Sequence, residues 1–151
     1  NWPMEQSAFS LDEKVALITG GSRGIGRATA VAFAKAGADV IVTSRKISDL
    51  EEVAAEVEKH GRRSLAVAAH VGRMDQIRNL VEKVVAEFGR IDILVNNAGT
   101  SIAAMAIDVE EKAWDALMNI NLKGAFFLSQ AVAGIMKEKG GGTIINVSSI
   151  K

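Results

Sequence analysis

Apolar runs of strand length alternate along this chain with stretches in which apolar residues recur every three or four positions. Val15 to Thr19 is the first run, apolar throughout, as expected of a parallel strand covered on both faces. Ile25 to Ala36 then reads as a helix whose Ile25, Ala28, Ala32 and Ala36 would face the sheet, with Gly37 as its stop. Val40 to Val42 is the second strand. Ser48-Asp49-Leu50-Glu51 has the form of a capping box, opening a helix that runs to His60 before Gly61. Leu65 to Ala69 gives a third strand, and Ile77, Leu80, Val81, Val84 and Phe88 mark a helix ending near Gly89. Ile91 to Val95 is the fourth strand. After a loop over 100–108, one long helix is expected from Val109 to Lys139, carrying Trp114, Leu117, Met118, Ile120 and Phe127, with Gly124 marking a close approach. Gly140 to Gly142 stop it, and Thr143 to Val147 is the fifth strand. Strict alternation predicts an α/β fold: a parallel sheet, right-handed crossovers and helices on both faces.

In such sheets ligands bind beyond the carboxyl ends of the strands. The Gly20 turn, Ser44-Arg45, His70, Asn96 to Gly99 and Ser148-Ser149 all follow strands, so five strand ends point at one rim. The first is the most informative. Its glycines are spaced Gly20-x-x-x-Gly24-x-Gly26, with Ser22, Arg23 and Ile25 between them, and a helix begins at once. Glycine lets an anion reach backbone N–H groups, and the helix N-terminus adds partial positive charge. The spacing is not the common G-x-G-x-x-G. Taken alone, the turn also fits a tight strand-to-helix connection without a ligand.

Composition narrows the picture. The 151 residues, 48% hydrophobic with one proline, suit a single globular domain. Eighteen basic and eighteen acidic residues cancel, which speaks against a nucleic-acid partner or a polybasic membrane patch. There is no cysteine, and two separated histidines make no metal site. No apolar run approaches a membrane span and no signal peptide is evident, so the cytoplasm is the expected compartment. The chain begins Asn1-Trp2-Pro3 and stops at Ile150-Lys151, just past a strand. We expect a leading arm over 1–14 and a dinucleotide-binding domain over 15–151 that is truncated at its C-terminus.

The residues after the second strand bear on the choice of nucleotide. A carboxylate commonly stands about twenty residues past the glycine turn to hold the NAD ribose, but here the sequence is Thr43-Ser44-Arg45-Lys46. Arg45, Lys46 and Arg23 would instead clamp a 2′-phosphate, favouring NADP(H) over NAD(H). The alternative is that Arg45 and Lys46 are solvated loop charges. His70, at the end of the third strand, would border the adenine or stand as a surface histidine.

Four motifs in order, Thr19 to Gly26, Asn96-Asn97-Ala98-Gly99, Asn121-Leu122-Lys123-Gly124 and Gly142 to Ser149, resemble those of the short-chain dehydrogenase/reductase family. The resemblance implies a Rossmann-type, doubly wound three-layer sheet with visible strand order 3-2-1-4-5. It places Gly20, Ser22, Arg23, Gly24, Ile25, Gly26, Ser44, Arg45, Lys46, His70 and Val71 at the cofactor, with Asn96, Ala98 and Gly99 along its adenosine ribose and diphosphate. By the same resemblance, Asn121 sits at a distortion of the long helix and holds a relay water, and Ser149 bonds the substrate carbonyl oxygen. It implies hydride transfer between NADP(H) and a small carbonyl or alcohol, as in ketone reductases, by a homo-oligomer, dimer or tetramer. One departure is that the family's Tyr-x-x-x-Lys is missing, since the chain contains no tyrosine. Another is His70-Val71, where many members carry an aspartate before the valine. An inactive nucleotide-binding module or sensor of the same fold is the alternative function.

Overall fold

The computed structural model describes residues 8–149; the first seven residues of the expected arm and the last two of the expected domain lie outside the described residues. Five parallel strands, β1 (Val15–Thr19), β2 (Asp39–Ser44), β3 (Ser64–Ala68), β4 (Ile93–Asn96) and β5 (Thr143–Asn146), form one sheet in the order β3-β2-β1-β4-β5. Helices α1 (Gly24–Lys35), α2 (Ile47–Glu58), α3 (Met74–Phe88), α4 (Glu111–Met118) and α5 (Ala125–Glu138) connect them. The alternation predicted a parallel α/β sheet, and its doubly wound, Rossmann-type order is the one that the family resemblance implied.

Successive strand residues point to opposite faces, and over β1, β2 and β4 both faces are covered, while β5 at the sheet edge stays largely exposed. Leu17, Ile41 and Leu94 pack with Leu80 and Val84 of α3 and Leu128, Val132 and Met136 of α5. Ala16, Ile18, Val40, Val42 and Val95 pack on the other side with Ala30 and Ala34 of α1 and Leu50, Val53 and Val57 of α2. Two-sided burial explains why the strands read as unbroken apolar runs. Burying one such aliphatic side chain contributes about 2 kcal/mol. Within residues 8–14, Leu11 packs against the α1 and α2 side, and its N–H donates to Ala36 O at 2.7 Å.

Three expectations about the helices change. The buried ridge of α1 is Gly26, Ala30 and Ala34, not Ala28 and Ala32, while Ile25 is 64% exposed. At the start of α2 the capping box is not formed. The N-cap is Lys46, so Ser48 already lies within the helix, and its hydroxyl donates to Asp49 at 3.3 Å. Finally, the long helix from Val109 is three pieces. A 3₁₀ turn (Ala106–Asp108) precedes α4, and a π-helical turn (Asn119–Gly124) joins α4 to α5. The buried ridge beyond that turn is Gly124, Leu128, Val132 and Met136, at strict spacings of four. Phe127 lies off this ridge and meets Phe126 edge-on instead, ring centroids 5.2 Å apart.

Candidate functional site

The glycine turn leaves β1 at Thr19 and enters α1 at Gly24. Gly20 and Gly24 have φ of 62° and 55°, a region that side chains disfavour. A Cβ built on Gly24 meets nothing within 4 Å, so the turn's outer surface is open. Gly26 does a different job. It is buried against the carbonyl oxygen of Gly20, so any side chain would push α1 off the turn. Gly26 therefore seats the helix and does not line the cleft. The helix N-cap, Arg23, makes no side-chain cap, and no acid stands in the first turn. Its first N–H groups are left for an anion.

The turn is tied to the end of β4 by Thr19, the last residue of β1, and Asn97, two motif residues to which the sequence assigned no role of their own. Thr19 Oγ1 accepts the N–H groups of Asn97 at 3.0 Å and Ala98 at 2.9 Å, and donates to Val95 O at 3.4 Å. Asn97 Nδ2 donates to the carbonyls of Thr19 at 3.1 Å and Gly20 at 3.2 Å. One hydroxyl and one amide thus lock two strand ends together. Asn96 is buried on the opposite side, donating through Nδ2 to Ser129 Oγ and Asn146 Oδ1, each at 2.9 Å. It braces β4 against β5 and α5, and Asn97 takes the cleft position expected of Asn96.

The cleft encloses about 410 Å³. Gly20, Ser22, Arg23, Gly24 and Ile25 line it from the turn, Ser44 and Arg45 from the end of β2, and His70 and Val71 from the end of β3. Ala98, Gly99, Thr100 and Ile120 close the β4 side. No carboxylate is among its lining residues. Lys46 is not among them either, because its Nζ is held 2.7 Å from Asp49 Oδ1. That hydrogen bond raises the Lys46 pKa above its ordinary value and lowers that of the Asp49 carboxyl.

The π turn carries Asn121 to the rim. Its Oδ1 accepts the N–H of Thr100 and its Nδ2 donates to Thr100 O, both at 2.8 Å. The side-chain amide is thus spent on the loop after β4, and Asn121 fixes Thr100, a cleft-lining residue. Gly124, at the end of the turn, lies against the carbonyl of Val71, where a side chain has no room. Ser148 and Ser149 follow β5 at the same end of the sheet and are exposed; neither lines the cleft.

An open glycine turn, a helix start without acids, two guanidinium groups and a lining free of carboxylates fit the diphosphate of a dinucleotide. The sequence profile of the short chain dehydrogenase family matches residues 14–151. The chain belongs to that family. The chain is 44% identical over 145 residues to 2-dehydro-3-deoxy-D-gluconate 5-dehydrogenase of Escherichia coli (strain K12), covering 95% of the chain and 56% of that relative. Among solved structures, L-sorbose reductase from Gluconobacter frateurii, complexed with NADPH and L-sorbose, superposes with a TM-score of 0.91 at 38% identity. The match covers 94% of the chain and 54% of the reductase. A metagenomic short-chain oxidoreductase in complex with NADP gives a TM-score of 0.89 at 37% identity, over 93% of the chain and 64% of that protein. The chain thus spans little more than half the length of relatives such as the E. coli enzyme. No helix among the described residues is long and apolar enough to cross a membrane.

Proposed function

We propose that this short chain dehydrogenase transfers a hydride between NADP(H) and a carbonyl or secondary alcohol. The observation that supports the reading is the cleft itself: its lining includes Arg45, next after the end of β2, and no carboxylate. A carboxylate there would repel a 2′-phosphate, whereas a guanidinium pairs with it in two parallel hydrogen bonds. The relatives bound to NADP and NADPH support the same choice.

The nicotinamide supplies the hydride; the chain supplies the rest of the geometry. Gly20, Ser22, Arg23 and Gly24 present backbone N–H groups and charge to the diphosphate. Ala98 and Gly99 border it from β4, and Asn121 holds Thr100 in place beside them. Ser149 is assigned to the substrate oxygen, where a hydroxyl stabilises developing negative charge. The general acid is assigned to no residue of this sequence, which has no tyrosine. The same reading makes the protein a cytoplasmic homo-oligomer; exposed Trp114, Leu122 and Phe126 on the α4 to α5 segment support association.

The test is Arg45→Asp in the full-length protein, titrated with NADPH and NADH. NADPH binding is expected to weaken about 30-fold relative to NADH, in keeping with the loss of a charge-assisted hydrogen bond. An unchanged NADPH to NADH ratio would overturn the cofactor assignment.

A further inference from the structure

We infer that the loop 100–107 selects an uncharged, apolar carbonyl substrate, one whose carbon chain lies against Met105 and Ile107. The inference rests on the dinucleotide reading above, which orients the cleft. The diphosphate sits at the glycine turn after β1, and Arg45 holds the adenosine half beyond β2. In the order β3-β2-β1-β4-β5 the other half of the cofactor, with the reacting carbon, extends over the ends of β4 and β5. The segment that leaves β4 there already lines the cleft with Asn97, Ala98, Gly99 and Thr100, and the loop continues directly from it.

The loop carries no charge: between Asp92 and Asp108 the sequence has neither acid nor base. A carboxylate or phosphate on the substrate would meet no cation along this wall. Arg23 and Arg45 stand at the glycine turn and past β2, and Lys112 and Lys123 of the adjoining helical segments are not among the cleft-lining residues. A polyol fares no better. Between Thr100 and Asp108 only Ser101 has a side chain that can hydrogen-bond, so most substrate hydroxyls laid along the loop would lose water without replacement. What the loop does offer is apolar surface. Met105 is 71% exposed and Ile107 91%, and neither joins the core on either face of the sheet. Both ends of the loop are nevertheless fixed. Asn121 grips Thr100 through two hydrogen bonds of 2.8 Å, and the Asp108 N–H donates to Met105 O at 2.9 Å as the 3₁₀ turn begins. Apolar side chains left out of the core, on an anchored loop continuous with the cleft, form a surface for hydrocarbon.

The experiment measures kcat/KM of the full-length protein with NADPH for straight-chain methyl ketones of increasing length. Ketones of matched length that end in a carboxylate or carry hydroxyl groups are run beside them. Over the first few methylenes kcat/KM is expected to rise about fourfold for each, the scale of one buried CH2. The carboxylate-ended ketones should be poorer by about tenfold or more. In Met105→Ser the rise per methylene should flatten through KM, and Met105→Leu should keep it. The dissociation constant of NADPH, read by its fluorescence without ketone, should be the same in all three proteins. A kcat/KM independent of chain length, a preference for the charged or hydroxylated ketones, or no turnover of the methyl ketones by protein that binds NADPH would overturn the inference and leave the cofactor reading intact. A rise that Met105→Ser does not alter would overturn the assignment to this loop. Failure of the unsubstituted protein to bind NADPH would overturn both readings.

Discussion

The two ends of the sheet are held together by opposite chemistry. At the amino end, carboxylates tie the strands. Asp92 accepts the N–H of Val15 at 2.9 Å and is gripped by Arg90 at 2.7 Å, while Asp39 accepts the N–H of Arg63 at 2.9 Å and pairs with Arg62 at 3.0 Å. At the carboxyl end the ties are neutral: Thr19 and Asn97 between β1 and β4, Thr43 Oγ1 to Val67 O at 2.7 Å between β2 and β3, and Asn96 to Asn146 between β4 and β5. A chain of zero net charge thus keeps acids away from the cleft lining without any global excess of positive charge. Amides and hydroxyls brace the rim without contributing negative charge to it, and that is what an anion site requires.

The sharpest way to break this contrast is at the amino end. Asp92→Ala removes a buried acceptor from Val15 N–H and a partner from Arg90, and is expected to cost about 3 kcal/mol in urea unfolding. NADPH affinity of the folded protein should not change. A parallel loss of affinity would mean that the two ends are not independent. Thr19→Val is the matching change at the rim. It leaves the N–H of Ala98 without its acceptor and the N–H of Asn97 with Val95 O alone, so about 2 kcal/mol of stability should be lost together with roughly tenfold in NADPH affinity. Thr19→Ser should restore both.

Asn121→Leu tests whether the side chain acts through Thr100. Two exposed hydrogen bonds contribute only about 1 kcal/mol to unfolding, but the loop they position lines the cleft. The expected outcome is weaker NADPH binding with a nearly unchanged melting temperature. A lowered melting temperature with unaltered binding would make the amide a structural brace alone.

The smallest effect belongs to the Lys46 and Asp49 pair. The Asp49 carboxyl titrates below its ordinary value, so its contribution is present above pH 4 and is lost as pH falls through the lowered value, roughly. The raised Lys46 contributes below its ordinary value of 10.5 and loses that contribution as pH rises through the folded one. Between about pH 5 and pH 9 neither changes charge. Asp49→Asn should therefore leave the melting temperature flat and unmoved across that range, as exposed pairs generally do.

The central strands were legible because burial on both faces writes itself as continuous apolar sequence, whereas the strand order came with the family motifs and not with the pattern. The ridge of α1 was not. Ala28, Ala30, Ala32 and Ala34 are indistinguishable to a hydrophobic pattern, and what selects among them is the contact of Gly26 with the Gly20 carbonyl. Asn96 and Asn97 were separable in principle. Leu94 faces the α3 and α5 side, so period-two alternation sends Asn96 there and leaves Asn97 for the turn. Thr19 gave no local signal, because its partners lie nearly eighty residues away in sequence. Lys46 was drawn toward the cleft by its charge, and only the observed helix start shows that Asp49, three residues on, holds its ammonium.

The π turn also implies something about the chain's length. A π turn accommodates one residue more per hydrogen-bonded loop than an α turn, so the segment 119–124 has the geometry of an α-helix that has absorbed a single insertion. Removing one residue there would let α4 run straight into α5. The remaining residues would then rotate about the helix axis, carrying Asn121 away from Thr100 and Gly124 away from Val71. A deletion of one residue in this stretch is a deletion of the rim.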